Sequence, residues 1–220
     1  EGASMTTRFL TSPRSFSGVV TTLMLMQLCA PLMAAEVVKL VGAGASFPAP
    51  LYQRWFRDYY HAHPSIQVDY QAIGSGGGLT NFIEKRLDFA GSDLPISPEK
   101  IAQVEDGVVQ IPLTAGAIVL GYNLPGVAEL KLSREAVAGI FLGKVERWND
   151  PAIAATNAGI ELPDLPVAVV ARTDSSGTTY VITRHLSAIS VEFAQAVGQT
   201  MTPAWPVYSA MKTTLVSGTA

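Results

Sequence analysis

Three segments of this chain share one order of elements: a strand pattern, a turn rich in glycine and serine, and a helix pattern. The turns lie at residues 42–50, 74–78 and 172–178. At such a turn the first N–H groups of the helix have no partner within the helix, and the helix dipole favours negative charge. Glycine also lets an oxyanion approach the backbone. The repeated arrangement predicts an α/β fold with donor-rich turns at the ends of its strands.

The third turn also carries a cationic side chain. Residues 167–170 are apolar and predict a buried strand, Arg172 follows, and residues 180–189 have helical spacing. The guanidinium of Arg172 is a planar fork of donors that matches phosphate or carboxylate oxygens. Asp174 is placed to orient that fork. Taken alone, this segment is equally compatible with an ordinary helix cap and a surface arginine.

The first turn leads from a short strand, which begins at Val38, into a helix. Ser46 is placed to cap that helix, and the prolines that follow are tolerated in a first helical turn. Leu51, Trp55 and Tyr59 then recur every four residues. This spacing predicts that they form the buried face of the helix.

The glycines of the first turn allow a second interpretation, a dinucleotide-binding site. Its fingerprint needs a third glycine for close packing of the helix on the strand, and Phe47 stands at that position. It also needs an acidic residue at the end of a second strand, whereas Asp69 lies inside the alternating pattern of residues 66–70. Both departures disfavour a nucleotide cofactor.

The second turn is followed by an acidic residue that restricts the type of anion. The glycine run at residues 74–78 opens a helix, and a short strand near residues 87–91 then delivers Asp93 to a loop. An ionised carboxylate can only accept hydrogen bonds, so beside donor-rich turns it favours an anion that carries a proton. Hydrogen phosphate has such a proton at neutral pH and sulfate has none. The acid therefore predicts selection for phosphate.

Taken together, these motifs resemble the periplasmic phosphate-binding proteins of bacterial phosphate ABC importers. The resemblance rests on four ordered motifs, at residues 42–50, 71–77, 88–93 and 172–178, and extends over about residues 38–207. It implies an α/β, two-lobe periplasmic binding protein of the type II-like kind that closes over its ligand. Such a chain would not be an enzyme, and it would need no cofactor and no metal.

The resemblance also implies a set of phosphate-binding residues. They are Ser46, Phe47, Ser75, Asp93, Arg172, Ser176, Gly177 and Thr178. Hydroxyl groups, the backbone N–H of Phe47 and the helix start would donate hydrogen bonds, and Asp93 would accept the phosphate proton. Asp174 would support Arg172 without touching the ligand. The implied partners are inorganic phosphate and the membrane permease subunits of the importer.

Residues 1–35 have the pattern of a secretory signal peptide, which predicts a periplasmic protein. Two arginines precede an apolar run at residues 18–33, and two alanines after the run suit cleavage. The run is short for a membrane span. Residues 1–4, which precede Met5, would be an upstream extension. Cys29 follows a leucine rather than a small residue, which argues against a lipid anchor.

The sequence predicts two lobes, at residues 36–120 and 121–207, of which we expect the first to be better ordered. Residues 208–220 are polar, have no strand pattern and lack the character of the family. We therefore expect a C-terminally truncated copy whose second lobe is incomplete. A frameshift would be one origin of the tail.

The charge of the chain argues against nucleic acid as a partner. Residues 1–35 hold two of the 15 basic and one of the 18 acidic residues, so the remainder has a net charge of −4, whereas nucleic-acid phosphates require basic patches. We expect a monomer. Two other functions remain open: a secreted phosphatase- or phosphotransferase-like enzyme, and an incomplete product without stable activity. The enzyme is disfavoured because His61 and His63 lack a third metal ligand nearby and no serine has a base in its motif.

Overall fold

The computed structural model describes residue 2, residues 37–206 and the backbone of residues 213–216. The predicted signal peptide, and the predicted tail apart from residues 213–216, lie outside the described residues. Val37–Ala220 cluster as one compact unit, and the strands within it form two separate sheets.

The first sheet is parallel and has three strands, β1 (Val38–Gly44), β2 (Ile66–Ala72) and β3 (Phe89–Gly91), in the order β2-β1-β3. Val38 pairs with Ile66 in β2, and Gly42 pairs with Phe89 in β3. The strand patterns predicted for this part of the chain are therefore confirmed. Because both neighbours run parallel to β1, the carboxyl ends of all three strands lie at one edge of the sheet.

Helix α1 (Ala49–Ala62) packs on this sheet through a different face from the one predicted. Tyr52 is buried, whereas Trp55 and Tyr59 are 43% and 45% exposed, so the prediction that these two residues are buried was wrong. The buried face of the helix is the one whose aromatic rings meet aromatic rings of the sheet. The Tyr52 ring meets Tyr70 of β2 edge-on at 5.1 Å between centroids, and the ring beside it on the helix, Phe56, meets the sheet in the same way.

Helix α2 (Ser75–Ile83) follows β2 after two residues, Ile73 and Gly74, and the φ of Gly74, 82°, is in the left-handed region. Glycine is the residue that adopts this region without strain. The helix begins within the glycine run, as predicted, and packs closely on β1. A Cβ at Gly78 would lie 2.4 Å from the Cα of Gly44.

The chain between the two sheets has little regular structure. Helix α3 is a short turn (Pro98–Ile101), and of the described residues none between 102 and 133 belongs to a helix or strand. The sequence of residues 109–112 and 117–123 predicts an extended crossing out of the first lobe. The structure assigns no strand to either part, and Val109 and Val119 are 86% and 80% exposed.

The region after this segment begins with two capped helices, α4 (Arg134–Leu142) and α5 (Pro151–Ala154). Ser133 accepts a hydrogen bond from the N–H of Ala136, and Gly143 ends α4 with a φ of 70°. Asp150 accepts from the N–H of Ala152 at 2.8 Å. The residue types predict these helix ends: a helix capped by Ser133 and stopped by Gly143, and a helix start capped by Asp150. All three predictions are confirmed.

The second sheet pairs β4 (Val169–Arg172) with β5 (Thr213–Val216) in parallel, with Arg172 opposite Val216. Helices α6 (Gly177–Ile189) and α7 (Val191–Ala196) lie between them in the chain. The prediction that residues 208–220 contain no strand was wrong. Two threonines, a leucine and a valine form β5. The threonines and the valine are β-branched, and β-branched residues favour strands.

The fully buried apolar side chains concentrate in this second region. One cluster joins α4 and α5 to β4, and the other joins α4 to α6 and α7. Their buried members are Ala136, Ile140, Val145, Ile153, Val167 and Val169 in the first cluster, and Leu142, Leu186 and Phe193 in the second. Among the described residues, no helix has both the length and the apolar character needed to cross a membrane.

Candidate functional site

The carboxyl edge of the three-stranded sheet carries half of the candidate site. Ser75 follows β2 and is 1% exposed, and Asp93 lies two residues beyond the end of β3. The N–H of Asp93 donates to the Ser75 hydroxyl oxygen at 3.2 Å. The parallel arrangement of the strands therefore brings a buried hydroxyl and a carboxylate side by side, although they are 18 residues apart in the chain.

Ser46 and Phe47 lie at the same edge, just beyond β1. The predicted capping role of Ser46 was wrong: the residue before α1 is Pro48, and no side chain caps the helix. Ser46 instead accepts the N–H of Ala49 with its backbone carbonyl at 3.2 Å. Phe47 is 52% exposed, with its ring against Gly116. The Ser46 hydroxyl therefore does not cap the helix.

The second half of the site begins at the end of β4, where Arg172 is paired with Asp174. Nε of Arg172 donates to Oδ1 of Asp174 at 2.8 Å, and Nη2 donates to Oδ2. Both side chains are largely buried, with 18% and 21% exposed. Paired, parallel hydrogen bonds of this type hold a guanidinium in one orientation. They engage two of its five N–H donors.

The start of α6 supplies backbone donors beside Arg172. The helix begins at Gly177, three residues earlier than the periodicity indicated, and Ser176 is its cap. The hydroxyl of Ser176 accepts the N–H of Thr179 at 3.1 Å and is fully buried. The backbone N–H of Ser176 donates to the carbonyl of Met201 at 3.2 Å. The contact of Met201 was not predictable, because nothing in the sequence around it signals contact with a turn 25 residues earlier.

The two halves of the site are in contact. The hydroxyl of Thr178 donates to Oδ2 of Asp93 at 3.3 Å. A Cβ at Gly177 would lie 2.4 Å from the Ser75 hydroxyl oxygen and 2.8 Å from Asp93. The N–H of Gly76 donates to the carbonyl of Ser175 at 3.0 Å. Four of the sequence-predicted residues, two from each half, therefore lie within contact distance of one another.

The electrostatics of the site centre on Asp93. Partial burial raises the pKa of its carboxyl above the ordinary value, and the Thr178 hydrogen bond, the charge of Arg172 and the Ser75 hydroxyl offset only part of that rise. The Asp93 charge in turn contributes to raising the pKa of Tyr52, although burial is the larger cause there. An acceptor placed among donors in this way suits an oxyanion that itself carries a proton.

The histidines near the end of α1 do not join this site. His61 lies in the last turn of the helix, and the ring of His63 contacts the ring of Tyr59 in a tilted arrangement, with 4.5 Å between centroids. Across residues 37–206, no group of three or more histidine, cysteine, aspartate or glutamate side chains is placed to hold a metal ion.

Comparison with known proteins identifies relatives that are longer than this chain. The chain is 44% identical over 176 residues to the phosphate-binding protein PstS of Pasteurella multocida, which covers 79% of this chain and 50% of that protein. It is 40% identical over 170 residues to PstS of Methanocaldococcus jannaschii, covering 74% of this chain and 44% of that protein. The chain thus spans about half the length of the curated relatives it matches.

Solved structures and a family model give further matches. The structure of an ABC-type phosphate transport receptor from Vibrio cholerae aligns at a TM-score of 0.48 and 20% identity, over 80% of this chain and 63% of that one. The family model of the PBP superfamily domain matches residues 30–218, which is most of the sequence. The chain therefore belongs to the PBP superfamily.

Proposed function

We propose that this chain binds inorganic phosphate, as hydrogen phosphate, between the carboxyl edge of the three-stranded sheet and the start of α6. The observation that carries the proposal is the contact of Asp93 with Thr178, next to Arg172 and Ser75. A single acceptor among donors of both charged and neutral kinds matches an anion with several bare oxygens and one hydroxyl group.

Each part of the site has a distinct role in this proposal. Arg172, held by Asp174, provides the positive charge and an oriented fork of N–H groups. The first turn of α6 provides the backbone N–H groups of Gly177 and Thr178, and the hydroxyls of Ser176 and Thr178, at the positive end of the helix dipole. The N–H of Ser176 is already bonded to Met201. Ser75 adds a buried hydroxyl, and Asp93 accepts the proton of the ligand.

Ser46 and Phe47 complete the proposed ligand shell from the end of β1. The Ser46 hydroxyl does not cap α1, so it can be directed to a ligand. The N–H of Phe47 precedes the first helical turn, where backbone donors lack partners within the helix. These two residues would bond the ligand from the side opposite to α6.

Ligand binding requires the two halves of the site to part. Thr178 Oγ1 and Asp93 Oδ2 bond each other at 3.3 Å, and both would bond ligand oxygens in the complex. The ligand would therefore replace this contact with one bond to each half. The direct Thr178–Asp93 bond would be lost, and phosphate would form one bond to Thr178 and one to Asp93. In this way phosphate would hold the two halves together.

The wider role that we propose is capture of phosphate in the periplasm and its delivery to the permease subunits of an ABC importer. The relatives from P. multocida and M. jannaschii are named phosphate-binding proteins, which supports this role. Export would depend on residues 1–35. The proposed lobes, residues 36–120 and 121–207, are supported by the separation of the strands into two sheets. The protein would act as a monomer, without covalent chemistry and without nucleic acid.

Calorimetric titration of the chain with phosphate tests the proposal. We expect saturable binding at one site, and binding of sulfate at least about tenfold weaker because sulfate presents no proton to Asp93. Arg172→Ala should abolish most of the signal. The matched control is Arg147→Ala, because Arg147 is also paired with an aspartate, Asp164, but on the surface. Equal binding of phosphate by the parent and Arg172→Ala would show that the site lies elsewhere.

A further inference from the structure

The peptide that precedes Ser46 is held by a side chain that sequence analysis did not single out. Ala45 follows β1 and is 1% exposed. Its N–H donates to the carbonyl of Gly91 at 2.8 Å, and its carbonyl accepts the hydroxyl of Tyr70 at 2.8 Å. The carbonyl of Ala45 and the N–H of Ser46 belong to one planar peptide unit. The Tyr70 bond therefore sets the orientation in which the chain enters Ser46 and Phe47.

The ring of Tyr70 is itself fixed by its neighbours. It meets Tyr52 edge-on, with 5.1 Å between centroids and an angle of 89°, and it stacks on Phe89 at 6.1 Å and 21°. Both are favourable geometries for aromatic pairs. Because α1 and β3 contribute one ring each, the hydroxyl is directed at Ala45 by packing from two separate elements.

The residue at position 91 must be small for this bond to form. A Cβ at Gly91 would lie 2.3 Å from the Tyr70 hydroxyl oxygen, closer than any side chain can be tolerated. Gly91 also accepts the N–H of Ala45, and its strand leads to Asp93 two residues later. Because residue 91 is a glycine, the end of β3 can lie against Tyr70, bond Ala45 just before Ser46, and lead directly into the loop that carries Asp93.

We propose that Tyr70 is a positioning residue of the anion site: its hydroxyl holds the Ala45–Ser46 peptide so that Ser46 and Phe47 face the position of the ligand. This inference rests on the proposed phosphate-binding function. If Tyr70 had a purely structural role and only satisfied the buried carbonyl of Ala45, its loss would lower stability and leave the affinity for phosphate unchanged.

Tyr70→Phe tests the inference, because it keeps the ring and removes one hydrogen bond. In the phosphate-free chain, we expect amide hydrogen exchange to become faster at Ala45, whose N–H bonds Gly91, and to stay unchanged in β1. The affinity for phosphate should fall about three- to tenfold. The thermal midpoint of the free chain should fall slightly as well, because the buried carbonyl of Ala45 loses its hydrogen bond. Tyr60→Phe, at an exposed tyrosine on α1, is the matched control. It should change neither the exchange rate nor the affinity for phosphate.

A double-mutant cycle gives a second measurement that does not depend on one variant. Gly91→Ala should also accelerate exchange at Ala45, because its new methyl group displaces the tyrosine hydroxyl. Its effect should be smaller in the Tyr70→Phe background, where that oxygen is absent. Additive effects, or unchanged exchange at Ala45 in Tyr70→Phe, would overturn the inference.

The outcomes separate this inference from the proposed function. If the parent chain does not bind phosphate, the proposed function fails and the inference fails with it. If the parent binds phosphate and Tyr70→Phe binds it equally well, only the positioning role is lost. If exchange is accelerated throughout the sheet, the loss of affinity follows from general loosening of the first region, the role of Tyr70 is structural and the inference is likewise overturned.

Discussion

The regions on either side of residues 102–133 reach their packing by different means. In the first, the three-stranded sheet is covered by α1 through aromatic rings, among them Tyr52 and Phe56. In the second, a sheet of only two strands adjoins two aliphatic clusters in which Ile153, Leu186 and Phe193 are almost completely buried. The region with fewer strands therefore has the more deeply buried side chains.

The expectation that the first lobe is better ordered stays a prediction. It follows from the strands that the second lobe is expected to lack, whose absence would reduce its burial. However, Val38, Leu40 and Val41 of the first lobe's central strand remain 53%, 37% and 38% exposed. Apolar burial, rather than the number of strands, supplies most of the favourable free energy of folding. Regular hydrogen bonding and a dry core are separate properties of a fold.

The candidate site draws one kind of chemistry from each region. The first contributes the acceptor, Asp93, with the Ser75 hydroxyl beside it. The second contributes the positive charge of Arg172 and the donors at the start of α6. On this division, changes in the second region should affect how tightly an anion binds, and changes at Asp93 should affect which anion binds.

The largest effect should come from removing a core side chain of the second region. Phe193→Ala should lower the free energy of unfolding by about 3–5 kcal/mol, because Phe193 is fully buried and its loss leaves a cavity. Trp55→Ala in α1 of the first region should cost less, since Trp55 is 43% exposed. Urea unfolding of both variants measures the contrast. Equal losses would remove the distinction between the two regions.

The next effect concerns the positive charge that the second region supplies. Arg172→Ala should weaken phosphate binding by about 2–5 kcal/mol if the occupied site excludes water. Arg172→Lys should fall between this variant and the parent, because lysine keeps the charge and loses the planar fork. Titration of the three proteins checks the order. A lysine variant that binds as tightly as the parent would show that charge alone is recognised.

A smaller effect is expected on selectivity when Asp93 is neutralised. Asp93→Asn should narrow the difference in affinity between phosphate and sulfate by one to two decades, corresponding to about 1–3 kcal/mol for an unmatched buried group. The amide can donate a hydrogen bond where the carboxylate repelled sulfate. Competition titrations with both anions measure the ratio. If the ratio is unchanged, selectivity has its origin in the second region.

The smallest effect should be on the pH dependence of stability. Because burial raises the pKa of Asp93 above its ordinary value of 3.8, the folded chain binds this proton more tightly than the unfolded chain does. The resulting stability is fully present below the unfolded pKa and is lost as the pH rises through the folded pKa. Asp93→Asn should therefore flatten the fall in stability that begins above pH 3.8, relative to the exposed-site control Asp106→Asn. Urea unfolding between pH 4 and 7 measures this slope, and parallel profiles for the parent and Asp93→Asn would contradict it.

Local chemistry made several elements predictable. Ser133, Gly143 and Asp150 mark helix ends through their own caps, which need only neighbouring backbone groups. The alternation of residues 66–70 likewise predicts β2, because the period of a strand is a local property. These assignments were confirmed because no distant contact competes with them.

Long-range packing accounts for the predictions that were wrong. The four-residue spacing of Leu51, Trp55 and Tyr59 indicates a helix, but the face that is buried depends on the rings of Tyr70 and Phe89, which lie on other strands. Strand β5 became recognisable only through its partner, β4. A four-residue run of threonine, leucine and valine is too short to predict a strand without knowing its neighbour.

The motifs of the sequence were sufficient to place donor-rich turns at strand ends and to single out Asp93 and Arg172 as an acceptor and a cation. The contact of Asp93 with Thr178, the pairing of Gly76 with Ser175 and the hold of Tyr70 on Ala45 required the folded chain. The physical reason is separation along the chain. A cap or a turn forms among residues a few positions apart, whereas these contacts join residues 25 to 99 positions apart, which only the packing of complete elements brings together.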